Sequence, residues 1–242
     1  QVNVAVDVSR EILAYLDKAP LENAVNLPRF EPAVLDQMRP YFKLMAVLSE
    51  FGLQLMKGNL DRVAFGFSGA IAHHDCSPLT VSGLAALLDR VADQPVNMVN
   101  AGLVAERMGL VVEERKSTQG GAFSNMVTLT LEGAGSTRTV SGTLFEGSPR
   151  IVGLRDYAMD FLPEPHMLLL SYQDRPGMIG RIGTVLGQHD INIAFMNLGR
   201  REKKGEAMVI LSVDSPVPPA VVAELQKATE ATFAQALHLP SA

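Results

Sequence analysis

The 242-residue sequence contains one cysteine, Cys76. No internal disulfide can form, and the chain fits a reducing cytoplasm. It has no apolar run long enough to span a bilayer, and no stretch reads as a signal peptide. A long basic run is also missing, and the net charge is −5, which argues against nucleic acid as a partner. No G-x-G-x-x-G opens a helix ahead of a ribose-binding acid, so Gly66-Phe-Ser-Gly69 and Gly120-Gly121 are not dinucleotide cradles. The five histidines have no obvious carboxylate or nucleophile partners, so no catalytic set is visible. His73-His74-Asp75-Cys76 places four ligand types in a row. Successive strand side chains point to opposite faces, however, and contiguous residues cannot close one tetrahedral site. The expectation is a chain with no metal, no cofactor and no catalytic residues of its own. Its composition, 47% hydrophobic and 19% charged, suits one to two globular domains with ample core.

The most informative segment is 166–199. His166–Tyr172 is an apolar run that reads as a strand entering a turn at Gln173-Asp174. Pro176 suits a first helical position, since it has no N–H to leave unsatisfied there. Met178, Ile179, Ile182, Val185 and Leu186 then form one apolar helical stripe. A second strand is expected at Ile191–Met196, with Asn192 at its beginning. Strand end, helix start and the Asn192 amide are thereby expected to converge. Free N–H groups at a helix start favour a carboxylate, and Asp174 can pair with an ammonium, a combination that suits a free amino acid. Asp174 and Asn192 can equally serve as turn and strand-end caps. Gly180, Gly183 and Gly187 read as points of close packing. Further on, Glu206–Asp214 reads as a strand, Pro219–Glu230 as a helix and Thr232–Leu239 as an edge strand. The order β-α-β-β-α-β is the ferredoxin-like unit.

The Asp174-Arg-Pro-Gly177 turn, with Asn192-Ile at the next strand, resembles an ACT domain over 166–239. That resemblance implies amino-acid binding on a biosynthetic enzyme. Upstream, Val2–Lys18 is helical in pattern and ends near Pro20. Asn23–Pro28 reads as extended, and Pro40–Lys57 as a second helix with Tyr41, Leu44, Leu48 and Phe51 on its apolar face. Asp61–Phe67 and Ala70–His74 read as adjacent strands, Thr80–Ala92 and 97–109 as helices. Leu110–Glu114, Asn125–Glu132, Thr137–Phe145 and Arg150–Leu154 read as strands. The segments Val96-Asn-Met-Val-Asn-Ala101, Ser141-Gly-Thr-Leu-Phe145 and Pro149-Arg-Ile-Val152 resemble the intervening domain of long-form D-3-phosphoglycerate dehydrogenases. Ile12-Leu-Ala-Tyr-Leu16 and Asn23–Pro28 resemble the end of that family's catalytic core.

The resemblance implies an α+β chain: 1–28 the tail of the catalytic core, 29–58 a connecting helix, 59–165 the intervening effector-binding domain and 166–242 the ACT domain. The first residue, Gln1 rather than Met, is read as a sign that the chain begins inside a longer protein. On this reading the NAD and substrate sites belong to the parent enzyme, which opens L-serine biosynthesis, and this chain holds none of them. The implied partners are L-serine, a second copy of the chain and the catalytic domains of the parent. By resemblance, Tyr172, Asp174, Arg175 and Gly177 of one subunit, with Asn192 of the other, line the L-serine site. A possible anion site comprises Arg150, which matches a basic family position, with Asn97 and Asn100 at a helix start. Tyr157, Leu162 and Ser212 stand where some members place arginines. Two alternatives remain open: an ACT-containing subunit of an iron–sulfur L-serine dehydratase, and a free-standing amino-acid-binding module.

Overall fold

The computed structural model describes residues 2–16, 32–119, 121–200 and 205–239. The expected extended segment Asn23–Pro28 lies outside these. Helix α1 spans Val2–Leu16.

The first unit is a six-stranded sheet in the order β2-β1-β3-β4-β5-β6. Its strands are β1 (Arg62–Gly69), β2 (Val111–Ser117), β3 (Asn125–Gly133), β4 (Ser136–Phe145), β5 (Ser148–Leu154) and β6 (Tyr157–Phe161). The β1–β2 pair is parallel and the others are antiparallel. A parallel pair needs a crossover, supplied by α3 (Ser77–Leu88) and α4 (Ala101–Arg107). Period-two alternation decides the faces. Val63, Phe65 and Phe67 of β1, with Val127, Leu129 and Leu131 of β3, are buried, while Thr128 and Ser141 bond each other on the opposite face at 3.0 Å.

Helix α2 (Pro32–Gln54) lies across the buried face. Its Leu44, Leu48 and Phe51 are fully buried, so it is part of this core rather than the connection expected over 29–58. It begins two turns before the expected start, with Pro40 inside it. Met38, one turn ahead of Tyr41, is already buried, and that packing outweighs the backbone hydrogen bond the proline forgoes. Ala70–His73 is a 3-10 turn, not the expected strand. Gly69 leaves β1 at φ 89°, ψ −150°, and the Ile71 N–H is taken by Asn125 Oδ1 at 2.7 Å. Strand β6 was not expected from the sequence at all.

The second unit has the order β7 (His166–Gln173), α5 (Met178–Gln188), β8 (Ile193–Arg200), β9 (Glu206–Val213), α6 (Pro219–Thr229) and β10 (Phe233–His238). Its antiparallel sheet runs β10-β7-β9-β8, the expected ferredoxin-like βαββαβ arrangement. The whole is α+β. One face packs Leu168, Leu170, Tyr172 and Val209 against Ile182, Leu186 and Leu225 of the two helices. The other face, Met167, Leu169, Met208 and Ile210, joins the core of the first unit beside Leu154 and Met159. Burial on both faces explains why Ala207–Val213 of β9 are buried without a break. Gln54, ending α2, locks the seam: it donates to His238 O at 2.6 Å and accepts from His238 N at 2.8 Å.

Gly180, Gly183 and Gly187 do not mark close approach, because a Cβ at any of them meets nothing within 4 Å. They lie on the outer side of α5, away from Ile182 and Leu186. Alanine at position 183 or 187 is therefore expected to stabilise the chain by about 0.5–1 kcal/mol each through helix propensity alone. A thermal melt should record a rise of about 1–4 °C per substitution. A fall would mean that another surface packs on this side of α5.

Candidate functional site

Strand β7 ends at Gln173, the chain turns through Asp174-Arg175-Pro176, and Gly177 takes a φ of 90° before α5 opens at Met178. Only glycine adopts that backbone without strain. Gly177 is therefore the helix cap, and the first helical residue is Met178, two residues later than the expected Pro176. The turn is held by the Asp174 N–H donating to Gly205 O at 2.9 Å. Beneath it lies an open cleft of about 230 Å³ lined by Tyr172, Asp174, Gly177, Ile179 and Leu198 among others.

Its electrostatics are specific. The Asp174 carboxylate accepts from Arg200 Nη1 at 3.0 Å, and Arg175, which also lines the cleft, pairs with Glu230 at 3.0 Å. Tyr172 is completely buried, and its hydroxyl has no hydrogen-bond partner among the described residues. Burial, and after it the nearby Asp174 charge, pushes the phenol pKa up, so it stays a neutral donor. An unsatisfied buried hydroxyl costs about 1–3 kcal/mol.

Asn192 does not converge with this cleft within one chain. It precedes β8, and its Nδ2 donates to Asp214 Oδ2 at 2.8 Å. The β8–β9 register sets Arg200 opposite Ala207, beside the Asp174 turn, but Ile193 opposite Val213 at the other end of the sheet. The expected convergence fails inside one subunit because β8 runs its whole length between the two residues.

The proposed anion residues also separate. Arg150 lines a cleft of about 480 Å³ with Tyr41, Asn125, Thr143 and Asp160. Its Nε bonds Asp160 Oδ1 at 2.6 Å, and the guanidinium lies 5.7 Å from the Phe145 ring centroid. Asn97 and Asn100 instead cap each other's backbone, at 2.8 and 3.3 Å. They lie ahead of α4 near β2, with β1, β3 and β4 between that edge and β5. Asn97, Asn100 and Arg150 are not one site. The sequence reading missed Asp160, which only the β5–β6 pairing brings to Arg150.

At the seam between the units, Glu206 accepts from Ser171 Oγ at 2.8 Å, Thr232 Oγ1 at 3.1 Å and Tyr157 OH at 3.2 Å. The Ser171 hydroxyl foremost, then those of Thr232 and Tyr157, hold its carboxyl below the usual range against the opposing effect of burial. Neither Glu206 nor Leu198 was singled out in the sequence, where a strand-end acid and a strand leucine carry no signal. The His73–Cys76 run is split by the 3-10 turn: Asp75 caps Ser77 at 3.0 Å, and burial raises the Cys76 thiol to about 11. Among the described residues no three His, Cys, Asp or Glu gather as metal ligands. No helix among them is long and apolar enough to cross a membrane.

Comparison with known proteins covers nearly the whole chain. Residues 37–155 match the D-3-phosphoglycerate dehydrogenase intervening domain, and residues 166–230 match the ACT domain. D-3-phosphoglycerate dehydrogenase of Bacillus subtilis is 34% identical over 99% of this chain and 46% of its own length. The enzyme of that name from Synechocystis is 35% identical, over 94% and 41%. That from Archaeoglobus fulgidus is 31% identical, over 94% and 44%. The chain thus spans just under half the length of these relatives. They favour the dehydrogenase over the dehydratase alternative, and the chain belongs to the D-3-phosphoglycerate dehydrogenase family, whose intervening and ACT domains, the C-terminal regulatory region, it carries.

Proposed function

We propose that this chain is the regulatory part of an NAD-dependent D-3-phosphoglycerate dehydrogenase and senses L-serine, the end product of the pathway that enzyme opens, between two ACT domains. The observation that carries the reading is the buried Tyr172 hydroxyl without a partner, next to the Asp174 carboxylate at the mouth of an open cleft. A serine ammonium pairs with Asp174, displacing Arg200. Its carboxylate takes N–H groups between Arg175 and Met178, and its hydroxyl or carboxylate takes the Tyr172 proton. The cleft lacks a second wall. Strand β8 is the edge of its sheet, and an unpaired edge is a template for another strand. Antiparallel pairing of two β8 strands about Met196 sets the partner's Asn192 opposite Arg200, beside the Asp174 turn. The second copy thus both completes the pocket and holds the oligomer together. Catalytic domains, NAD and the substrate belong to the rest of the parent enzyme.

Calorimetric titration with L-serine, using glycine and L-alanine as controls, tests this directly. Saturable binding selective for L-serine is the expected result, and equal or absent heats overturn it. Tyr172→Phe gives a sharper outcome, with two opposite signs. Removing an unsatisfied buried hydroxyl should stabilise the free chain by about 1–2 kcal/mol. Losing the donor should weaken L-serine binding about 5–10-fold, roughly the worth of one hydrogen bond.

An anionic effector in the Arg150 cleft is a second reading, favoured by the guanidinium lining that cleft. Any such anion competes with Asp160 for it.

A further inference from the structure

The cleft and the seam between the two units lie on opposite faces of the same strands, one residue apart. In β7, Tyr172 faces the helices and the cleft, while Ser171 faces the seam and bonds Glu206. In β9, Glu206 pairs with Gln173 in register, and its neighbour Gly205 holds the Asp174 N–H. The Asp174 turn therefore cannot shift without dragging the residue that precedes Glu206. Across the seam, Tyr157 of β6 is almost fully buried and donates its hydroxyl to Glu206.

Strand β8 makes the same connection a second way. Leu198 lines the cleft and Arg200 holds Asp174. Between them, Gly199 lies so close to β6 that a Cβ there would come within 2.8 Å of Met159 Sδ and 3.3 Å of Tyr157 Cβ. Two routes, one through Glu206 and one through Gly199, thus lead from the cleft to Tyr157.

We infer that the Tyr157–Glu206 contact is the link through which occupancy of the Asp174 cleft reaches the intervening domain, with Glu206 as the positioning residue. This rests on the reading that the cleft binds L-serine. In the structure Asp174 accepts from Arg200 and Tyr157 donates to Glu206 across the seam. An ammonium that takes Asp174 shifts the turn held by Gly205, moves Glu206 beside it and weakens the hydrogen bond from Tyr157. Coupling between two sites is reciprocal. A ligand that loosens the seam must therefore bind more tightly when the seam is already loose.

The test is a double-mutant cycle on the whole chain, Tyr157→Phe and Glu206→Ala singly and together. L-serine affinity is read by calorimetry, and amide exchange of residues 157–161 with and without L-serine by mass spectrometry. Tyr157→Phe should bind L-serine about 3–10-fold more tightly, and the double variant no more tightly than the tighter single one, because both cut one link. Added L-serine should speed exchange at 157–161 in the unaltered chain and leave it unchanged in Tyr157→Phe. Glu206→Gln, which keeps an acceptor for Tyr157, should restore most of the exchange response. Unchanged affinity in Tyr157→Phe, with the same exchange response as the unaltered chain, overturns the link while leaving the cleft as the serine site. Failure of the unaltered chain to bind L-serine removes both.

Discussion

Asp174→Ala is expected to weaken L-serine binding about 10–100-fold, the worth of a hydrogen bond between charged groups, with little change in melting temperature. The two effects separate because the carboxylate has different partners in the two states. In the free chain it holds the guanidinium of Arg200, more than half of whose side chain is exposed, and exposed ion pairs contribute at most about 1 kcal/mol. With serine bound, it faces an ammonium in a cleft walled by Tyr172, Leu198 and a second subunit, where water no longer screens the pair. Asp174→Asn keeps an oxygen but loses the charge, and should fall between. Asn192→Ala should weaken binding as well, from the partner's side. A mixture of Asp174→Ala and Asn192→Ala chains then tests the composite site: each mixed dimer regains one intact pocket, and, with equal amounts pairing at random, affinity near that of the unaltered chain returns at about a quarter of its stoichiometry. If the mixture binds no better than either variant alone, the two residues do not share a pocket across subunits.

The second large effect concerns the fold. Gly69→Ala should destabilise the chain by about 3 kcal/mol, because φ 89°, ψ −150° is a region essentially closed to residues with a side chain. The added Cβ would also overlap the backbone carbonyl of Ser124, which accepts the Ala70 N–H. That carbonyl is main chain and cannot rotate away. Relief requires β1 and the strand following Ser124 to part at their closed end, which unseats Ile71 and the Asn125 amide that caps it. A thermal melt should fall by about 6–12 °C at this chain length. A drop under 2 °C would mean that the turn after β1 relaxes freely, and that its geometry does not fix the start of the helical layer.

Local pattern ends where register and close backbone approach take over. The apolar alternation of β3 and β4, the stripe on α5 and the Asp174-Arg-Pro-Gly turn were legible because each is written in residues a few positions apart. Strand β6 alternates too, with Tyr157, Met159 and Phe161 buried, but five residues are too short to stand out as a period. The Ala70–His73 stretch read as a strand because its composition permits one; a glycine conformation and a side chain from 54 residues away decided otherwise. Asn192 was identified as a residue of interest, yet its distance from Asp174 within one chain is set by the full length of β8 and by its register on β9.

The βαββαβ order and the carboxylate-bearing turn with its glycine are written in the sequence, since both follow from short-range periodicity and residue type. Tertiary packing, by contrast, leaves the Tyr172 hydroxyl without a partner among the described residues, sets Asp160 against Arg150, and ties the two units through Glu206 at Tyr157. Those facts depend on strand register and on packing between segments far apart in the chain, and neither leaves a mark within a few residues of sequence.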